Sequence, residues 1–135
     1  MTSRTITADD PGLGGLQCLI QAGPASFVAD EPVDIGGFDM GPNPHDLVAA
    51  GLAACTAHTL RLYAKRKNWP LGALHVAVTH SREAGATPPD RFTRTLRIEG
   101  GLDAEQRARL LDIAEKCPVH KLLTGGAAIS TTLSE

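Results

Sequence analysis

Cysteine is the residue type in this chain that offers the most reactive chemistry. Three are present, Cys18, Cys55 and Cys117. A small, odd number of thiols argues against a disulfide scaffold, so we expect each thiol to be structural, catalytic or metal-bound. Cys55 lies within a long helical pattern, whereas Cys117 directly precedes Pro118, a residue that can open a helix. Unpaired N–H groups at a helix start stabilise a thiolate, so the two positions suit different roles, although small core residues are the simpler interpretation.

The same two cysteines begin two matching pairs, Cys55-x-x-His58 and Cys117-x-x-His120. Two cysteines and two histidines form a common tetrahedral zinc set. A structural zinc usually stabilises a small loop-rich unit, however, and these four residues fall on predicted helices of a chain with an adequate core. Zinc binding is therefore an alternative to redox chemistry.

Length and composition narrow the class of protein. The chain has 135 residues, 42% of them apolar, and a formal net charge of -2. These values predict a single domain over residues 1–135 and argue against disorder and against a nucleic-acid partner. The longest apolar run, residues 47–55, is shorter than the roughly 20 residues of a membrane span. We therefore expect a cytoplasmic protein without a membrane partner.

Helical patterns occupy the middle and the end of the chain. Residues 44–67, with Asn43 as the cap, have apolar side chains on nearly every side as far as residue 60, which predicts a central, buried helix. Asp103 and Gln106 fit a capping box before a helix that runs to residue 116. A short helix is predicted over residues 118–123.

Period-two alternation predicts the strands. They are expected over residues 16–22, 26–29 and 32–35, in a hairpin over residues 73–80 and 91–99, and near residues 127–133. In the hairpin, Arg94 shares a face with Phe92, Leu96 and Ile98. Its charge therefore points toward the core or an interface, or else Arg94 is a rim residue with a buried stem. The order of elements lacks the strand-helix alternation of a parallel doubly wound sheet.

Three motifs in the chain resemble the OsmC/Ohr family of thiol-dependent peroxidases. They are Gly41-Pro-Asn-Pro44, residues 47–59 around Ala-Ala-Cys55-Thr, and Ile113-Ala-Glu-Lys-Cys117-Pro-Val-His120. The similarity extends from about Asp30 to the C-terminus, in the family's order and with its separation between the two cysteines. The sequence around Gly36-Gly37, 60–70 and 109–123 is more similar to the OsmC-like redox-protein branch than to the founding members.

This resemblance implies an α/β (α+β) two-layer fold with antiparallel sheets around two central helices of an intertwined homodimer. The thiol pair would lie at the subunit interface. Cys55 would be the peroxidatic thiolate that becomes a sulfenic acid, and Cys117 the resolving thiol that condenses with it to a disulfide. The apolar helix favours organic hydroperoxides as substrates. A lipoyl or thioredoxin-like dithiol would restore the thiols without a cofactor, in defence against oxidative stress.

The chain departs from the founding members at the group that activates the first thiol. Their glutamate position falls on His45, with Asp46 as the adjacent acid, and their arginine position falls in a Gly-rich stretch without Arg. The candidates for activating or pocket residues are therefore His45, Asp46, His58 and Arg94. A redox-inert dimer that binds a ligand in the same apolar pocket is the alternative from a different functional class.

Overall fold

The computed structural model describes residues 3–134 as a mixed α/β chain with two antiparallel sheets. Its elements in order are β1 (Thr7–Asp9), β2 (Cys18–Ala22), β3 (Ala25–Ala29), a 3-10 turn (Val33–Ile35), α1 (Pro44–Lys67), β4 (Leu71–Arg82), β5 (Asp90–Gly100), α2 (Ala104–Ala114) and α3 (Pro118–Gly125). The sheets have the strand orders β1-β2-β3 and β4-β5. The chain divides into two compact units, Met1–Val48 and Ala49–Glu135.

The first unit contains the three-stranded sheet. β2 and β3 pair from Cys18 opposite Ala29 to Ala22 opposite Ala25, across a tight turn at Gly23. Gly23 has a φ of 60°, a left-handed conformation that favours glycine. Further along, a side chain on Gly37 would collide with the backbone carbonyl of Glu31, so this glycine is required by close backbone packing.

A buried carboxylate organises the connection between β3 and α1. Asp30 is 3% exposed and accepts a hydrogen bond from the Gln17 amide at 2.9 Å. It also accepts from the backbone N–H groups of Glu31, Phe38 and Met40 at 2.8, 3.0 and 3.1 Å. The Gln17 amide and these N–H groups outweigh burial and hold the pKa of Asp30 at about 2, below its usual 3.8.

The second unit is built from the β4–β5 hairpin and the helices. Its core consists of Leu60, Tyr63, Leu102, Leu110, Ile113 and Ala114, against which Trp69, Leu71, Leu74, Leu96 and Ile98 pack. Arg61 on α1 donates to the carbonyl oxygens of Leu71 and Gly72 at 2.8 and 2.6 Å. Arg107 on α2 donates to the Ile98 carbonyl at 2.8 Å. These bonds fix both helices to the hairpin that carries Arg94.

Two predicted strands are wrong, whereas the hairpins and helices are present with slightly different bounds. Residues 32–35 form the 3-10 turn, because the N–H groups of Ile35 and Gly36 bond back to the carbonyls of Pro32 and Val33. Residues 126–134 form no strand, because none of the described strands pairs with them. The three-residue strand β1 was not predicted, since so short a segment has little periodicity.

Within a single chain, α1 buries one stripe rather than nearly every side. The buried residues of the helix are Leu52, Thr56, Leu60, Tyr63 and Ala64. They recur every three or four residues and therefore form one face. Leu62, off this stripe, is 64% exposed. By length and composition α1 also passes the test for a membrane-crossing helix, but core helices of globular proteins pass the same test.

We predict that Asp103→Ala lowers the free energy of unfolding by about 1 kcal/mol, the usual effect of losing a helix cap. The Asp103 carboxylate accepts from the N–H of Gln106 at 2.7 Å, and the Gln106 amide oxygen accepts from the N–H of Asp103 at 3.0 Å. Urea denaturation measures the change. Asp103→Ser keeps a capping oxygen and is the matched control. An Asp103→Ala protein as stable as the wild type would contradict the capping role.

We predict that Asp30→Asn lowers the melting temperature at neutral pH and that this difference disappears in acid. Because the folded-state pKa of about 2 lies below the usual 3.8, the Asp30 carboxylate stabilises the fold above the upper value. That stabilisation is lost as pH falls between the two values. Melting temperatures from pH 7 to about pH 2 test this expectation. Asp34→Asn, at an exposed carboxylate in the same segment, is the control. A difference in melting temperature that stays constant across this pH range would refute the stabilising role of the Asp30 carboxylate.

Candidate active site

Cys117 lies between α2 and α3 and is fully buried, with an exposed fraction of 0%. It is the N-cap of α3, where its Sγ accepts a hydrogen bond from the backbone N–H of His120 at 3.3 Å. Pro118 occupies the first turn, at a position that does not need an N–H. The sulfur therefore faces the positive end of the helix, which favours a thiolate.

Cys55 lies on α1 and is partly buried. Its Sγ accepts a hydrogen bond from the backbone N–H of Val119 at 3.5 Å. The first turn of α3 therefore supplies one N–H to each sulfur. Since Val119 and His120 are adjacent, the two sulfurs lie close to each other, and the ionisation of each thiol influences the pKa of the other. The fold thus brings together two thiols that are far apart in the sequence.

The two thiols differ in how easily they ionise. Burial raises the pKa of the Cys55 thiol and the adjacent Cys117 raises it further, while the Val119 N–H opposes the increase. Burial also disfavours the ionised form of Cys117. Hydrogen bonds from the His120 N–H, the Cys55 thiol and the Thr56 hydroxyl outweigh this effect and lower the pKa of Cys117. Cys117 is therefore the thiol that ionises first.

The hydroxyl of Thr56 lies between Cys117 and a cation. Thr56 is fully buried on α1, with its Oγ1 at 2.7 Å from the carbonyl oxygen of Leu52 and 3.9 Å from the Sγ of Cys117. Arg94 donates from Nη1 to the same Oγ1 at 3.0 Å. Because the guanidinium occupies a lone pair of the hydroxyl, the hydroxyl proton is available to the Leu52 carbonyl or to the sulfur.

Arg94 reaches this hydroxyl from β5, and its side chain is 13% exposed. Its Nη2 lies 3.2 Å from a carboxylate oxygen of Glu115 and 3.1 Å from Nδ1 of His120. Arginine has no acceptor, so Nδ1 accepts and the ring proton is on Nε2, which lies 3.2 Å from the same Glu115 oxygen. Glu115 and His120 thus hold Arg94 in place, and the Glu115 carboxylate partly compensates its charge.

The other predicted activating residues lie in different settings. In the first turn of α1, the Asp46 carboxylate accepts from the Asn43 N–H at 3.0 Å, while the Asp46 N–H donates to the Asn43 side chain at 2.8 Å. Asp46 therefore caps the helix. His45 is exposed in the same turn, and His58 is exposed further along α1. Of these candidates, Arg94 is the one that the described hydrogen bonds connect to Cys117.

Part of the site was not predicted from the sequence. Thr56 and Glu115 were not singled out, and His120 was considered as a zinc ligand but not as a partner of Arg94. A usable signal existed for Thr56, which is the polar member of the buried stripe of α1. Glu115 is exposed and lies two residues before Cys117, so its sequence context resembles that of an ordinary surface residue.

The structure does not support the Cys2His2 zinc hypothesis. His58 is exposed, and both ring nitrogens of His120 face Arg94 or Glu115. In the described part of the chain, no three of the four proposed ligand atoms lie within 4.8 Å of one another. A tetrahedral zinc site needs four ligands at bonding distance of one ion.

Comparison with known proteins agrees with this fold. A sequence profile of the OsmC-like protein family matches residues 37–132, which is more than half of the chain and includes both cysteines. No sequence among the curated proteins matches the chain. An OsmC-like protein of Mycoplasma pneumoniae has a similar structure, with a TM-score of 0.76 and 23% identity over 92% of this chain and 89% of that one.

Two organic hydroperoxide resistance proteins have similar structures as well. The OhrB protein of Bacillus subtilis aligns with a TM-score of 0.63 and 27% identity over 92% of each chain. The protein of Elizabethkingia anophelis, crystallised with bound thiocyanate, aligns with a TM-score of 0.68 and 26% identity over 92% of this chain and 91% of that one. The profile match and the shared fold show that this chain belongs to the OsmC-like protein family.

Proposed function

We propose that this protein is a thiol-dependent peroxidase that reduces organic hydroperoxides through Cys55 and Cys117. The observation that carries the proposal is the pairing of the two sulfurs at the start of α3, where each accepts a backbone N–H. Because these N–H groups belong to adjacent residues, the two thiols lie close together, as formation of a disulfide requires. The structural similarity to hydroperoxide resistance proteins of two bacteria supports the same chemistry.

The burial of the two cysteines supports the division of roles in this proposal. Cys117 is 0% exposed, whereas Cys55 is partly exposed. A hydroperoxide can therefore approach Cys55 first. The Cys55 sulfur attacks the peroxide, an S–O bond forms as the O–O bond breaks, and an alcohol leaves. Cys117 then condenses with the sulfenic acid of Cys55, which releases water and forms the disulfide.

A dithiol reductant, lipoyl or thioredoxin-like, completes the proposed cycle by exchange with this disulfide. We propose that the protein acts in the cytoplasm, a reducing compartment that supplies such dithiols. We also propose a homodimer, as the family resemblance implies. Exposed apolar side chains of α1, such as Leu62, would be covered in it.

We predict that tert-butyl hydroperoxide oxidises both thiols and links Cys55 to Cys117. Intact mass and peptide mapping detect the disulfide. Cys55→Ser should reduce turnover to the uncatalysed rate because the attacking sulfur is absent. Cys117→Ser cannot form the disulfide, so any Cys55 that the peroxide oxidises should remain a sulfenic acid that a sulfenic-acid reagent traps.

Cys18→Ser is the matched control for this experiment. Cys18 lies on β2 in the first unit, so its replacement should leave turnover unchanged. If the hydroperoxide leaves Cys55 and Cys117 as free thiols, the peroxidase proposal fails and the ligand-binding alternative is favoured.

A further inference from the structure

The proposed reaction needs an ionised sulfur at Cys55, yet the surroundings of Cys55 disfavour its charge. Burial and the adjacent Cys117 both raise the pKa of Cys55. The Val119 N–H, at 3.5 Å, and the Thr59 side chain donate to its sulfur and lower this pKa, but they do not outweigh the increase. Something must therefore remove the Cys55 proton as the reaction begins.

Cys117 is the ionisable group beside Cys55, since the two sulfurs accept the N–H groups of the adjacent residues His120 and Val119. The titratable or charged side chains around its sulfur include Cys55 on α1, Arg94 on β5, Glu115 after α2 and His120 on α3. Arg94 and Glu115 carry opposite charges, and the neutral tautomer assigned to His120 adds none. The donors to the Cys117 sulfur include the His120 N–H, the Thr56 hydroxyl and the Cys55 thiol.

The Thr56 hydroxyl is poised between two acceptors. In its present geometry it bonds to the Leu52 carbonyl at 2.7 Å and lies 3.9 Å from the Cys117 sulfur. A thiolate is a stronger acceptor than a neutral carbonyl. Ionisation of Cys117 therefore turns the hydroxyl proton toward the sulfur. Arg94 cannot accept this proton, and its own N–H bond at 3.0 Å holds the hydroxyl oxygen in place throughout.

We propose that Cys117 is the base that removes the Cys55 proton, and that Thr56 and Arg94 are positioning residues that keep Cys117 ionised for this step. The inference rests on the proposed function, which it deepens. It gives Cys117 two successive tasks, first as the base and then as the resolving sulfur. It also explains how the first thiol is activated without an arginine in the Gly-rich stretch before α1.

In the proposed reaction, Cys117 first accepts a proton and later returns it. The proton of Cys55 moves to Cys117, and the Cys55 sulfur attacks the terminal oxygen of the hydroperoxide. The S–O bond forms as the O–O bond breaks, so sulfur is oxidised and the peroxide is reduced to an alkoxide. The alkoxide takes the proton from Cys117 and leaves as an alcohol. Cys117, again a thiolate, attacks the sulfenic sulfur, which forms the disulfide and releases hydroxide.

The first test measures the ionisation of Cys117 itself. The ultraviolet absorbance of its thiolate is recorded against pH in a protein that also carries Cys18→Ser and Cys55→Ser. We expect Thr56→Val to raise the pH midpoint by about one unit or more, the tenfold change typical of losing a hydrogen bond to a charged group. Arg94→Met should raise it as well.

Conservative variants separate positioning from folding. Thr56→Ser keeps the hydroxyl and should keep the wild-type midpoint, and Arg94→Lys should recover part of the loss caused by Arg94→Met. Circular dichroism and melting temperature verify the fold of each variant. If the midpoint is the same in Thr56→Val, Arg94→Met and the parent, the positioning role is overturned.

The second test is the pH dependence of Cys55 alkylation by iodoacetamide, read at Cys55 by peptide mapping in a Cys18→Ser background. With Cys117 as the base, the midpoint should follow the ionisation of Cys117. Cys117→Ser should move it upward, because Cys55 must then ionise without a base in a buried setting, and burial, the largest cause of its raised pKa, remains after the smaller contribution of Cys117 is lost. An unchanged or lower midpoint would overturn the role of Cys117 as the base.

Alkylation requires no peroxide, so this test is independent of the proposed activity. Peroxide that leaves both thiols free would refute the peroxidase proposal, while a Cys117-dependent alkylation profile would still support the base. Conversely, a normal peroxide reaction with a Cys117-independent profile would refute the base and leave the peroxidase proposal standing.

Discussion

A sulfur atom that water cannot reach must take its hydrogen bonds from protein groups, and the sulfur of Cys117 is such an atom. Its sulfur is fully buried and faces the first turn of α3, with the N–H of His120 and the hydroxyl of Thr56 as donors. Pro118 begins this helix directly after the cysteine. The break between α2 and α3 is therefore a structural requirement of the site, because a continuous helix would use these N–H groups internally.

The second constraint is the charge of Arg94, which lies on the inward face of a strand. A guanidinium that is 13% exposed needs partners for its N–H groups. Thr56, Glu115 and His120 supply them from three different segments of the chain. The same residues that satisfy Arg94 are those that connect it to the Cys117 sulfur. One network of hydrogen bonds thus both satisfies the charge of Arg94 and connects it to the thiol of Cys117.

The prediction of the elements succeeded where the signal is local. The capping box at Asp103 and the alternation of the β4–β5 hairpin appear in the structure as expected. The prediction failed at residues 32–35 and near residues 127–133, where a strand depends on a partner strand rather than on its own sequence. It also overstated the burial of α1, because an apolar sequence does not say how many of its faces one chain can cover.

The sequence by itself determined the family and the start of α3 at Pro118, and it indicated the two cysteines of interest and the face of β5 that carries Arg94, since each follows from a motif or a short-range pattern. Only the tertiary structure decided which groups meet the sulfurs. Thr56, Arg94, Glu115 and His120 come from four segments, and their contact depends on how helices pack on a hairpin. Likewise, the relative ionisation of the two thiols is set by burial and by hydrogen-bond donors. Neither the burial of a thiol nor its set of hydrogen-bond donors is defined until the chain has folded.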